Sequence, residues 1–176
     1  GLVADGLRRR LGGYPVTVIA NGVDTVRYRP GDSASARRHL GLPEAARLVG
    51  CAARMEPVKG HADLLAAAAR LPADVHLALA GDGSLVPDLR REAERLGLVG
   101  RVHFLGKVDD MPRFYRAIDR FCLASHAEGL PLAPLEAQSS GVPVIVTAVG
   151  GAPEAVCPAT GRLAPARDPG GLADAL

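Results

Sequence analysis

Short apolar segments alternate with amphipathic segments along most of this chain, and this alternation restricts the fold more than any other feature. Strands are predicted where the apolar run is continuous, at about 48–53, 75–80, 102–105, 121–124 and 142–147. Helices are predicted between them, where apolar residues recur at helical spacing, at about 62–71, 85–96, 111–117 and 132–140. Strands that are apolar throughout are covered on both faces. The pattern predicts a three-layer α/β/α, doubly wound parallel sheet of the Rossmann type.

The ends of the chain extend this pattern. Residues 1–11 have apolar residues at helical spacing, and this helical pattern is already under way at the first residue, which indicates a fragment of a longer protein. Further elements are predicted as strands at about 16–20 and 162–164, and as helices at about 34–40 and 172–176. We assign residues 1–15 to the end of a helix from a preceding domain and residues 16–176 to one Rossmann-like domain.

The charge distribution argues against nucleic acid as a partner. The chain has 21 Lys and Arg residues, 19 Asp and Glu residues and a formal net charge of +2. Its longest basic run is Arg8-Arg9-Arg10, which we interpret as a solvated helix face. A nucleic-acid surface needs a more extensive basic stripe, so we expect no nucleic acid partner.

Cysteine usage favours a reducing compartment. The three cysteines, Cys51, Cys122 and Cys157, are odd in number and form no CxxC pair. We therefore expect buried thiols and a cytoplasmic protein. No signal-peptide pattern opens the chain, and the longest uncharged stretch, 137–153, is interrupted by Ser, Gly and Pro and does not predict a membrane helix.

The residues with the most chemistry follow directly after predicted strands. They lie in three segments, 54–59, 81–83 and 125–136. Ligands of open α/β sheets bind outside the carboxyl ends of the strands. The sequence therefore predicts one site, built from these segments at one edge of the sheet.

Two carboxylates in the third segment, Glu128 and Glu136, are the strongest functional signal. Glu128 lies in the loop after a strand, and Glu136 lies one to two turns inside the following helix. Glu128 is expected to face a sugar, and Glu136 to accept hydrogen bonds from a ribose diol. The backbone amides between them are expected to meet phosphate, most of all those of Leu132 and Ala133; the other candidates are Gly129 and Leu130. Two ordinary surface glutamates would give the same spacing.

Arg54 and Lys59 place two cations at the same edge. Arg54 follows a strand and Lys59 precedes a helix, an arrangement suited to a diphosphate. Taken alone, they also fit two solvated cations on a loop.

The turn Gly81-Asp82-Gly83 could admit a ligand closely or merely turn the chain. Because Val86 occupies the last position of a GxGxxG pattern and no GxxxxGK run occurs, an NAD enzyme or a P-loop nucleotidase is disfavoured.

Histidines give no metal signal in the sequence. None of the five is spaced as a metal ligand, and no HExxH pattern occurs. His126 lies near the predicted site, where it is either a substrate contact or a plain loop residue.

At these positions the chain resembles the C-terminal half of the GT-B glycosyltransferases of family 4, the group 1 transferases. The matching segments occur in the family's order, and they are 18–24 with Pro30, Arg54 with Lys59-Gly60, 80–83, 102–106, 125–137, 141–144 and 149–154. The chain departs from the family at Leu130-Pro131, where Phe-Gly is frequent, and at 138–140.

The resemblance implies transfer of a sugar from a UDP-, GDP- or ADP-linked donor, with retention at the anomeric carbon. It implies a site without a metal or other cofactor, in which Arg54 and Lys59 act on the diphosphate, Glu128 contacts the donor sugar and Glu136 contacts the ribose. The base is expected near the backbone of Phe104 and Leu105. An N-terminal acceptor domain is expected to be missing from this chain. Any peripheral association with the inner face of the membrane is expected to be made through that domain.

Other activities share this architecture. A sugar-nucleotide epimerase would need a further carboxylate and histidine constellation that the chain does not show. A phosphorylase would need a cofactor lysine, and the only lysines are Lys59 and Lys107. A non-catalytic nucleotide-sugar-binding domain is a third alternative, disfavoured by the four charged residues at the predicted site. The full-length protein is expected to be a glycosyltransferase in polysaccharide or lipopolysaccharide synthesis. The isolated chain is expected to be inactive.

Overall fold

The computed structural model describes Arg10, Thr17, Ile19 and residues 21–176. Arg10 is helical, whereas Thr17 and Ile19 belong to no regular element. The helix predicted at 1–11, the strand predicted at 16–20 and the division of the chain after residue 15 otherwise lie outside the described residues.

The described residues form six helices, six strands and two short 3-10 turns. The helices are α1 (Ser33–Leu40), α2 (His61–Ala68), α3 (Val86–Arg95), α4 (Met111–Ala117), α5 (Ala133–Ser139) and α6 (Pro169–Ala175). The strands are β1 (Arg47–Ala52), β2 (Val75–Ala80), β3 (Val102–Gly106), β4 (Arg120–Leu123), β5 (Val144–Thr147) and β6 (Gly161–Ala164). The 3-10 turns are Pro57–Lys59 and Ala152–Ala155.

All six strands are parallel and form one sheet in the order β3-β2-β1-β4-β5-β6. The chain builds outward from β1 to β3 on one side and then from β4 to β6 on the other, so the order reverses between β1 and β4. Ligands of such sheets bind at this switch point, outside the carboxyl ends of the strands. The predicted doubly wound parallel sheet is confirmed.

Two apolar layers cover the sheet. On one face, Leu64 and Leu65 of α2 and Leu89 of α3 pack against side chains such as Leu77. On the other face, α1, α4 and α5 pack against alternate strand residues. That second layer contains the buried aromatic side chains Tyr28, Phe114, Tyr115 and Phe121. Burial on both faces is the physical reason that the strands are apolar throughout.

Some element ends differ from the prediction for local reasons. Helix α2 ends at Ala68 instead of near 71, because Pro72 disfavours helical backbone just before it. Arg101 donates to the carbonyls of Ala68, Leu71 and Pro72, which stabilises this early end. Among the described residues, no helix is long and apolar enough to cross a lipid bilayer.

Candidate functional site

The three predicted site segments meet at the carboxyl edge of the sheet. Residues 53–60 connect β1 to α2, residues 81–85 connect β2 to α3, and residues 124–132 connect β4 to α5. A fourth loop, residues 148–151, follows β5 and packs against the third segment. The strands β1 and β4 are direct neighbours, so the loops that carry Lys59 and Glu128 lie side by side.

Glu128 and Lys59 form a close ion pair. The Lys59 Nζ atom lies 2.6 Å from Glu128 Oε1, and the side chains are only 20% and 9% exposed. Ser125 Oγ donates to the same oxygen at 2.6 Å. Burial strengthens such charge-assisted bonds. The predicted phosphate cation and the predicted sugar carboxylate are therefore one hydrogen-bonded unit.

The backbone beneath this unit is held by β5. Thr147 Oγ1 donates to the carbonyl of Ser125 at 2.5 Å, and both residues are buried. Ser125 lies in the predicted site segment 125–136 but was given no role there, and Thr147 was not identified as a site residue. Only the neighbouring position of β4 and β5 brings them together, and no local spacing signals it.

His126 is a loop contact. Its Nε2 atom lies 2.7 Å from Asp63 Oδ2 in α2, and its backbone N–H donates to the carbonyl of Val58 at 2.8 Å. Of the two sequence interpretations, this geometry favours the loop residue. The Asp63–His126 pair ties the Glu128 loop to α2, and the bond to Val58 ties it to the turn that carries Lys59.

Glycines allow the loops to approach each other closely. A Cβ atom on Gly60 would overlap the carbonyl of Ala124, and one on Gly150 would overlap the carbonyl of Glu128. Gly81 and Gly83 face the backbone of Ala53 and Met55 in the same manner. The Gly81-Asp82-Gly83 turn thus packs the β2 loop against the β1 loop, and Gly81 also reaches the cleft described below.

Arg54 differs from Lys59 in having an exposed side chain. Within residues 21–176, its guanidinium forms no hydrogen bond or ion pair with another side chain. It is therefore available to an anion at the mouth of the site without breaking an internal contact.

A cleft of about 520 Å³ opens beside this cluster, at the end of β1 and β2. It is lined by Ala52, Ala53, Ala80, Gly81, Lys107, Val108, Asp109, Met111, Tyr115, Leu132, Ala133 and Glu136. Glu136 Oε2 accepts a hydrogen bond of 2.8 Å from the hydroxyl of Tyr115. Four predicted binding residues, Gly81, Leu132, Ala133 and Glu136, therefore share one cleft.

The other predicted binding residues lie outside that lining. The Phe104 ring packs under the Arg90 guanidinium, 4.5 Å from its centroid, and Leu105 packs against the second apolar layer. The residues just after β3, from Lys107 to Asp109, reach the cleft instead. Gly129 is exposed, and the carbonyl of Leu130 accepts a hydrogen bond from Asn21 Nδ2 at 3.2 Å.

A larger cavity, about 850 Å³, lies at the opposite edge of the sheet. Its lining includes Arg120, Val144, Gly161, Asp174 and Leu176, around the amino ends of β4, β5 and β6. It contains none of the predicted site residues.

In the part of the chain that the structure describes, no three His, Cys, Asp or Glu side chains are placed to hold a metal ion together.

The thiols and one histidine show how burial changes ionisation. Burial raises the pKa of Cys51 to about 12 and that of Cys122 well above its usual value. Burial, and then the charge of Lys59, lowers the pKa of His61 to about 4. The prediction of buried thiols is wrong for Cys157, which is exposed. Cys157 lies between a 3-10 turn and Pro158 and not inside a strand, so no layer of the sheet covers it.

Comparison with known families gives a consistent result. The family model described as "Glycosyl transferases group 1" matches residues 46–176. The D-inositol 3-phosphate glycosyltransferase of Mycolicibacterium gilvum (strain PYR-GCK) is 45% identical over 148 residues, covering 80% of this chain and 33% of that protein. The protein of the same description from Mycobacterium tuberculosis (strain ATCC 25177 / H37Ra) is 40% identical over 169 residues, covering 92% of this chain and 35% of that protein. The chain thus spans about a third of the length of these relatives.

Solved structures share the fold. The Anabaena protein HepE, in complex with UDP and glucose, superposes with a TM-score of 0.84 at 33% identity, over 90% of this chain and 45% of that one. The C-terminal domain of LpcC, a glycosyl transferase group 1 family protein from Francisella tularensis, has a TM-score of 0.77 at 27% identity, over 87% of this chain and 85% of that one. On the family match, the relatives and the shared fold, this chain belongs to the group 1 glycosyltransferases of the GT-B fold.

Proposed function

We propose that this chain is the donor-binding domain of a retaining glycosyltransferase and that it binds a nucleoside diphosphate sugar. One observation carries the proposal: the Glu136 cleft and the Lys59–Glu128 pair lie side by side at the switch point of the sheet. A carboxylate in a cleft suits a nucleoside, and cations beside it suit a diphosphate.

Each residue of the site receives a role from its position. Glu136 accepts hydrogen bonds from the ribose, and the backbone amides of Leu132 and Ala133 face the phosphates. Arg54 and Lys59 balance the charge that develops on the leaving diphosphate as the bond to the sugar breaks. Lys59 has three N–H donors, so it can bind a phosphate oxygen while it remains paired with Glu128.

Glu128 has two functions in this proposal. It holds the Lys59 ammonium, and its second carboxylate oxygen faces the donor sugar. The base occupies the part of the cleft near Lys107 to Asp109. Gly81 and Gly83 keep the β2 loop close enough to the β1 loop to form the wall of that cleft.

UDP-linked sugars are the first donors to test, because HepE has been crystallised with UDP and with UDP-glucose. GDP- and ADP-linked sugars are the alternatives. We further propose that the whole protein holds its acceptor on a separate N-terminal domain, retains the anomeric configuration and needs no metal ion. It would act in the cytoplasm, at the inner face of the membrane if that domain is peripheral, in polysaccharide or lipopolysaccharide synthesis.

Calorimetric titration with UDP, GDP and ADP tests the proposal. At least one should bind the chain, and EDTA should leave its affinity unchanged. Glu136→Gln should weaken the nucleotide about tenfold or more, because a hydrogen bond to a charged group contributes roughly 1.5–3 kcal/mol. Binding of inorganic pyrophosphate, which lacks the ribose, should change little. If none of the three nucleotides binds at millimolar concentration, the proposed function is wrong.

A further inference from the structure

Tyr115 holds one oxygen of the Glu136 carboxylate at a fixed place. Its hydroxyl donates to Glu136 Oε2 at 2.8 Å, and both side chains line the same cleft. The two residues belong to α4 and α5, which are separated by β4 in the sequence. No motif in the sequence connects them.

The Tyr115 ring is fixed by aromatic neighbours. It is fully buried and makes T-shaped contacts with Tyr28, Phe114 and Phe121, at centroid distances of 5.9, 5.5 and 5.8 Å. T-shaped contacts favour one ring orientation. The hydroxyl position is thus set by three rings that do not themselves reach the cleft lining.

The bond also has a fixed direction. Burial, and then the charge of Glu136, raises the pKa of Tyr115 far above its usual value. The phenol therefore stays protonated at neutral pH and donates to the carboxylate. Burial, and then a hydrogen bond to Glu136, raises the pKa of Tyr28 as well, so a second phenol also faces this carboxylate. Glu136 stays partly exposed in the cleft, where a ligand can reach it.

From this geometry we infer that Tyr115 is a positioning residue, which orients Glu136 so that the site distinguishes a ribose diol from a sugar without those hydroxyls. The inference rests on the proposed function, because it assigns Glu136 to the ribose. A carboxylate that is free to rotate loses part of the binding energy in becoming ordered, whereas a pre-oriented one does not. Tyr115 itself need not touch the nucleotide.

The test compares UDP with 2′,3′-dideoxyuridine diphosphate on wild-type chain and on Tyr115→Phe. Wild type should bind UDP about tenfold more tightly than the dideoxy nucleotide. Tyr115→Phe should bring the two affinities close together by weakening UDP, and should leave the affinity for the dideoxy nucleotide unchanged. Ser140→Ala is the control, since it removes a buried hydroxyl just after α5 that has no partner within the described residues. It should keep the wild-type preference.

A double variant separates positioning from general damage. If Tyr115 acts through Glu136, Tyr115→Phe combined with Glu136→Gln should lose no more discrimination than Glu136→Gln alone. The inference is overturned if Tyr115→Phe weakens both ligands equally or keeps the full preference for UDP. Failure of wild-type chain to bind either nucleotide would instead overturn the proposed function, and the inference with it.

Discussion

Arg54 and Lys59 carry the same charge to the same sheet edge, but their surroundings differ. Lys59 is largely buried against Glu128, whereas Arg54 is exposed and forms no side-chain bond within residues 21–176. Losing Lys59 leaves the Glu128 carboxylate buried with Ser125 as its remaining side-chain donor within the described residues. Losing Arg54 removes a cation and little else.

Each substitution to alanine should therefore weaken UDP binding, with different effects on stability. Lys59→Ala should also lower the free energy of unfolding, by about 1–3 kcal/mol, because a buried charge loses a partner. Arg54→Ala should leave it nearly unchanged. Calorimetry and urea unfolding measure the two effects. Arg91→Ala, which removes a cation from the exposed face of α3, is the control and should affect neither. Equal stability of the Arg54 and Lys59 variants would show that the ion pair contributes nothing.

His61 should make the chain sensitive to acid. Its pKa is lowered to about 4, first by burial and then by Lys59, from an ordinary 6.5. Between these values the unfolded chain binds a proton that the folded chain does not, so stability falls as the pH falls from about 6.5 towards 4. The loss should approach about 3 kcal/mol, at roughly 1.4 kcal/mol per pH unit.

Urea unfolding of wild type and His61→Gln at pH 7.5 and pH 4.5 measures this effect. The difference between the two pH values should be smaller for His61→Gln than for wild type. Replacement of the exposed His39 by Gln should leave the wild-type difference intact. If His61→Gln loses as much stability in acid as wild type does, another group is responsible for the sensitivity.

Among the elements, the loops at the carboxyl edge depend on close backbone contacts. Gly60 and Gly97 both have positive φ angles, 64° and 72°. A Cβ atom on Gly60 would overlap the Ala124 carbonyl, but one on Gly97 would meet no atom within 4 Å. The two positions therefore share the same backbone strain on substitution, and only one has a steric conflict.

Gly60→Ala and Gly97→Ala should separate strain from displacement of the loop. Both substitutions should lower the free energy of unfolding by about 1–2 kcal/mol, because alanine is strained in left-handed backbone. Only Gly60→Ala should also weaken UDP binding, because it pushes the Lys59 turn away from the Ser125 loop. Unfolding and titration of both variants check this. Equal UDP affinities for the two variants would contradict the proposed coupling of these loops.

Periodicity predicted the elements well because burial on both faces leaves a direct record in the sequence. Helix Met111–Ala117 and strand Val75–Ala80 have the predicted bounds. Contacts between elements that are distant in the sequence leave no such record: Asp63 meets His126 and Tyr115 meets Glu136 only because the crossovers bring them together. The two short 3-10 turns were not predicted either.

The placement of the base near the backbone of Phe104 and Leu105 stays a prediction. The side chains of these two residues point into the layers above and below the sheet, as side chains inside a strand do. Only residues past the end of the strand reach the edge, as Lys107 to Asp109 do.

At the scale of the whole molecule, this chain covers about a third of the length of its curated relatives. Sugar transfer needs an acceptor held against the anomeric carbon, and orientation provides a large part of such a rate enhancement. The described residues form one six-stranded sheet, with the proposed donor site at its carboxyl edge. We propose that the acceptor surface belongs to another part of the protein.

The chain by itself should therefore bind a donor without transferring its sugar. A radiolabelled UDP-sugar incubated with the chain and candidate acceptors should give no labelled product, whereas the full-length protein should give product under the same conditions. Efficient transfer by the chain alone would contradict a two-domain active site. Donor binding by the same sample, measured by calorimetry, is the control for folded protein.

The most direct measurement is the position of bound UDP, mapped by backbone amide shifts in NMR spectra of this 18.2 kDa chain. Saturating UDP should move the amides of Gly81, Leu132, Ala133 and Glu136, and those from Lys107 to Asp109. Amides around the larger cavity, near Gly161 and Asp174, should stay in place. Shifts confined to that opposite edge, or no shifts at all, would contradict a donor site at the carboxyl edge of the sheet.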